Sequence, residues 1–144
     1  MSDITRTTPS VDGWSANRCV VLSGLVAGEA LTSGDAVFIH TDGKVYQADA
    51  ADHKDTLTLE AGDTDPVLDI SKFDGFVQAD YVAAEGGVTL FGQGAILTKY
   101  AASLTAGSFY WVSGTQGSLA DARVATNDSP VAKSISTTEI LVLR

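Results

Sequence analysis

Three side chains in this sequence carry an imidazole or a thiol: Cys19, His40 and His53. A nucleophile-and-base pair has to be drawn from them, with partners that can come from anywhere in the chain. No Gly-x-Ser-x-Gly turn surrounds a serine, so the exposed elbow of the hydrolases has no counterpart. Cys19 sits in the apolar run CVVLSGL, where a thiol packs as a small hydrophobe; as the single cysteine it forms no internal disulfide. A zinc site would draw on the same three residues, and their spacing matches no zinc motif. Oxygen chemistry has one candidate, DTDPVLD, with Asp63, Asp65 and Asp69. It lacks the glycine and terminal glutamate of a calcium loop and reads as a solvated acidic segment. The glycines of GGVTLFGQG (86–94) are not followed by the Lys-Ser/Thr of a phosphate cradle. Eighteen acidic residues offer many carboxylate pairs and single out none. The expectation is no catalytic residue, no metal site, no cofactor and no enzyme.

The elements that would position such groups are strands. The 144 residues fit one domain, 44% hydrophobic and with 14 glycines, a composition that favours turns and strands over long helices. Nine basic residues against eighteen acidic ones leave no basic stripe for nucleic acid. The charge is uneven. From Glu29 to Glu85 there are 13 acidic and 3 basic residues, whereas residues 86–144 carry 3 and 4, and residues 1–27 two of each. An acidic middle facing water, with near-neutral ends meeting a partner, is the functional form of that pattern; a plain solvated face is the simpler one. No apolar run is long enough to span a membrane, and MSDITRTTPSVDG has no signal-peptide character.

Residues 1–16 lack the periodicity of a packed element and are expected to form an extended arm. Its partner-binding candidates are Arg6, Trp14 and, just beyond it, Arg18. Trp14 and Arg18 fit either core packing or an interface anchor. Residues 17–144 then form a single β domain. NRCVVLSGLV (17–26) reads as its first strand, and DAVFIHT and KVYQADA flank Asp42-Gly43, a tight-hairpin dipeptide. His40 is expected half-exposed on that hairpin. Residues 51–74 are an acidic excursion with room for one strand. GFVQADYVA (75–83) and GVTLFGQGAILTK (87–99) continue the domain, bending at Gly92 and Gly94.

A second hairpin, FYWVS and SLADA, follows, and PVAKSIS and EILVLR close the chain. LTSGDAVFIHTDGKVYQADA (31–50) is echoed by LTAGSFYWVSGTQGSLADA (104–122), and the strands after each hairpin also correspond. About nine short strands in two similar halves predict an all-β fold, a compact antiparallel β-barrel or sandwich. In the second hairpin Phe109 and Trp111 share one face and Tyr110 takes the other. Either both faces are core, or the three residues mark a subunit interface.

GLVAGEALTSGDAVFIHTDGKVYQADA, GFVQADYVAAEGGVTLFGQGAI, SLTAGSFYWVSGTQGSLADA and PVAKSISTTEILVL, in that order, resemble the small capsid cement or head decoration proteins of tailed bacteriophages. The resemblance covers residues 24–143 and rests on the order of the motifs. It implies a protein on the outer surface of an assembled shell, made in the host cytoplasm. Its partners would be the major capsid protein and two further copies in a homotrimer, with no nucleic acid or membrane. Similar β repeats occur in tail fibres, baseplates and head–tail parts, which are the alternative within a virion; a carbohydrate-binding β module is the alternative outside it. The arm and the 51–74 excursion have no clear counterpart in that family.

Overall fold

The computed structural model describes residues 3–5, 14–15, 20–51, 53–56, 69–125 and 128–144. Their regular structure is all strand: β1 (Trp14–Ser15), β2 (Val21–Ala27), β3 (Leu31–Thr32), β4 (Ala36–Ile39), β5 (Lys44–Gln47), β6 (His53–Thr56), β7 (Asp69–Ser71), β8 (Gly75–Val77), β9 (Tyr81–Val82), β10 (Gly87–Phe91), β11 (Ile96–Leu97), β12 (Phe109–Val112), β13 (Leu119–Ala120), β14 (Ala132–Ser134) and β15 (Ile140–Val142). The fold is all-β, as the turn spacing predicts.

The first half is a closed five-stranded barrel in the order β10-β2-β5-β4-β8. It closes through a parallel pair, Val26 with Lys44 and Ala27 with Val45, so the sheet is mixed where an antiparallel one was expected. The second half is an open six-stranded sheet, β1-β11-β15-β14-β12-β13. The stretch 75–83, read as one strand, divides into β8 and β9, and β9 leaves the barrel to pair with β3. Among its described residues the 51–74 excursion holds two strands where one was expected, and β6 and β7 pair antiparallel.

The two halves are the same sheet built twice. Phe38 pairs with Tyr46 and Ile39 with Val45; at the matching places Trp111 pairs with Ala120 and Val112 with Leu119. Ala36–Phe76 and Val37–Gly75 match Phe109–Lys133 and Tyr110–Ala132. Leu90–Val77 and Phe91–Phe76 match Ile140–Ser134 and Leu141–Lys133. Val21–Phe91 and Leu22–Leu90 match Ile96–Leu141 and Leu97–Ile140. The turns repeat as well. Gly34 and Gly107 both take positive φ, 80° and 87°, and donate to the carbonyls of Val77 and Ser134 at 3.0 and 2.7 Å. A side chain at either φ would be strained, which explains the glycine of each LT-x-G copy.

Side-chain alternation divides the core in two. Along β4, Val37 enters the barrel interior with Val45, Val77 and Leu90. Ala36 and Phe38 face the other way and join Phe76 and Phe91 in a larger cluster with Leu97, Tyr110, Leu119 and Ile140 of the second half. The outer face of the barrel is thus the inner wall of the contact between the halves. Each fully buried side chain of this size stabilises by about 1.5–3 kcal/mol.

Candidate interaction face

The outer face of the second-half sheet carries Ile96, Leu141, Lys133 and Phe109, aligned in register across β11, β15, β14 and β12. Their counterparts in the first half are Val21, Phe91, Phe76 and Ala36. Three of those four are buried between the halves: Phe91, Phe76 and Ala36, at 6%, 0% and 0% exposure. The same architectural row is covered in the first half except at Val21, which is 47% exposed, and partly open in the second, where Phe109 is exposed and Ile96, Lys133 and Leu141 are half-buried. Phe109 is 43% exposed and Ile135, just beyond the end of β14, is 44% exposed. The Lys133 ammonium stands 5.4 Å from the Phe109 ring centroid, a cation–π contact on an otherwise apolar row.

The aromatic trio splits as its alternation requires. Phe109 is exposed, Trp111 is half-buried beside it on the same face, and Tyr110 is 3% exposed within the inter-half cluster. Tyr110 is therefore a core residue, not a contact residue, because its strand packs that face onto the barrel. Trp111 Nε1 is buried without a hydrogen-bond partner among the described residues. Ile96, Lys133, Ile135 and Leu141 were not singled out from sequence. Aligning the two repeats and asking which positions face outward would have found them.

Trp14 lies on β1, where it is the register partner of Leu97, and Ser15 that of Ile96. Arg6 and Arg18 lie outside the described residues, as do Cys19, Asp63 and Asp65. The arm is not wholly extended away from the domain. Asp3 forms a bridge with Ala120 on β13, and its carboxylate accepts from Ser113 Oγ at 2.5 Å. Ile4 N–H donates to the Leu119 carbonyl at 3.1 Å.

Two hollows lie elsewhere. One, of about 450 Å³, is bordered by Ile4, Thr5 and residues Ala101 to Leu104. The other, of about 90 Å³, is lined by Phe38, His40, Lys72 and Asp74 among others. His40 is half-exposed there, as expected, edge-on to Tyr46 at 5.4 Å. Tyr46 Oη donates to Asp42 at 2.7 Å. That bond, helped by the Lys44 backbone N–H, holds the Asp42 carboxyl below its usual range and raises the Tyr46 phenol. Lys44 pairs with Glu85 at 2.7 Å, which raises the ammonium pKa. The Tyr46–Asp42 bond is a link within an exposed hairpin, and the Lys44–Glu85 pair ties that hairpin to the turn before β10. Among the described residues no group of three or more His, Cys, Asp or Glu side chains is placed to hold a metal ion.

What the surface can do chemically is bind: an in-register, partly exposed apolar row with one cation offers area, not reactivity. Compared with known proteins, the sequence matches no protein-family model and shows no significant similarity to any curated protein.

Proposed function

We propose that this chain is a virion structural protein of a tailed bacteriophage, a capsid decoration protein that binds the outside of the assembled shell and bridges its capsomers. The observation that carries the reading is the partly open row Ile96–Leu141–Lys133–Phe109, three of whose four counterparts in the first half are buried. An apolar row that the fold largely covers once and leaves partly open once offers a surface that a partner can cover. The resemblance of the ordered motifs to cement proteins supports the major capsid protein as that partner, with copies of this chain arranged as a homotrimer.

The mechanism is mechanical. Contacts that exist only in the assembled shell stabilise it over free subunits by mass action, and many copies compound the effect. Most of the acidic residues between Glu29 and Glu85 would face solvent.

Imaging of purified particles tests this. Density for the chain on the outer shell, in copy numbers matching the capsomers and with the β12 face against a neighbour, is the expected result. A few copies confined to the tail would move the protein to a fibre, baseplate or connector, and absence from particles would overturn the reading.

A further inference from the structure

The repeat shows where the second half is incomplete. In the barrel, β2 runs on to Ala27 and closes against β5, and Gly28 N–H takes the Val45 carbonyl at 2.8 Å. The counterpart of β2 is β11, which stops at Leu97; Lys99 then adopts a left-handed φ of 57° that turns the chain out of the sheet. β13 is left as a sheet edge. Leu119 is the counterpart of Val45, and its carbonyl is taken by Ile4 N–H at 3.1 Å. A residue from the N-terminal arm therefore fills the place that Gly28 fills in the first half.

We propose that the β13 edge is a strand-acceptor slot, and that residues 3–5 of a second copy occupy it by exchange with the chain's own arm. Three features favour exchange. The recognition is chiefly main-chain, the Asp3–Ala120 bridge and the Ile4–Leu119 hydrogen bond, and such pairing works equally well in trans. The side-chain anchors are few: Asp3 to Ser113 Oγ, and Ile4 partly buried against the core. A hollow of about 450 Å³ beside Ile4 and Thr5 leaves room around the segment. An identical segment exchanged between identical slots keeps every contact, so the exchange costs little enthalpy. The occupant is a second copy of this chain, and the inference stands whether or not the partner is a shell.

The test uses the full chain with Cys19→Ser. Asp3→Cys and Ser113→Cys variants are mixed, oxidised mildly and run on a non-reducing gel. A disulfide-linked pair of chains, at least tenfold more abundant than when exposed Thr41→Cys replaces Ser113→Cys, is the expected result. The double variant Asp3→Cys/Ser113→Cys should also close within one chain. Closure within the chain, with intermolecular product no greater than the Thr41→Cys control, would overturn exchange. Failure of both to form would overturn the slot itself.

Discussion

Asp128 and Arg144 meet at 3.2 Å, with the carboxylate side chain fully buried and the guanidinium 24% exposed. The same carboxylate accepts from Ser71 N–H at 2.9 Å, Ser71 Oγ at 2.8 Å and Ser129 N–H at 2.9 Å. Arg144 also donates to the carbonyls of Ser71 and Ser129 at 3.2 and 3.1 Å, and its guanidinium lies 5.9 Å from the Phe73 ring centroid. Burial lowers the Arg144 pKa from its usual value, while Asp128 and Asp74 oppose that shift. The cluster fastens the end of the excursion to the last strand of the second half.

Removing its cation leaves a buried carboxylate without its charge partner. Arg144→Met should cost about 3–5 kcal/mol of stability at neutral pH, read by urea denaturation. A loss under 1 kcal/mol would mean that backbone donors alone satisfy Asp128.

Gly43 and Gly117 occupy the two hairpin turns with φ of 82° and 78°, yet their surroundings differ. A β-carbon at Gly43 meets nothing within 4 Å, whereas at Gly117 it would approach Gln47 Nε2 at 2.9 Å and Asp35 Oδ1 at 3.0 Å. Gly43→Ala should cost about 1–2 kcal/mol for the left-handed backbone. Gly117→Ala should cost a further ~1–3 kcal/mol for crowding. Equal melting shifts would contradict the docking of the second hairpin onto the first half.

The interaction face predicts a separation of binding from stability. Phe109→Asp places a charge on an exposed position, so the melting transition should stay within about 0.5 kcal/mol of the parent. Binding to shells, followed by co-sedimentation, should fall at least tenfold. Tyr110→Asp should instead unfold the second half.

Glu29 supplies a pH signature. Partial burial raises its carboxyl pKa; the Gln47 backbone donor opposes this, and Asp35 adds to it. A native state that holds the proton more tightly than the unfolded chain loses stability as pH rises through the native pKa. Glu29→Gln should therefore raise the melting temperature modestly at pH 7, with the gain vanishing below about pH 3. A gain that persists in acid would assign the effect to packing.

Local chemistry was legible in the sequence, and tertiary choices were not. The Asp42-Gly43 turn announces itself because its signals are adjacent: Asp42 accepts from Lys44 N–H at 2.8 Å and Gly43 supplies the positive φ. The alternation of Phe109, Tyr110 and Trp111 gave their faces correctly, but only the barrel beneath them decides which face is core. The parallel closure of β2 on β5 left no trace, since two strands sharing turn chemistry look alike in either direction. The early end of β11 depends on Lys99 in a left-handed conformation, which a lysine does not advertise. The partly open row became visible only when Leu141, Lys133 and Phe109 could be compared with their buried counterparts Phe91, Phe76 and Ala36.

The borrowed hydrogen bond of Ile4 also sets a timetable. The first-half barrel closes with strands from Val21 to Phe91 alone, so it can assemble while the rest of the chain is still being synthesised. The second half cannot finish that way. Its edge waits for a segment 110 residues upstream of Ser113, which leaves the ribosome early and has to stay unpaired until β13 emerges. Ring closures of that span form slowly, and in a crowded polysome the nearest arm of the right sequence can belong to a neighbouring chain.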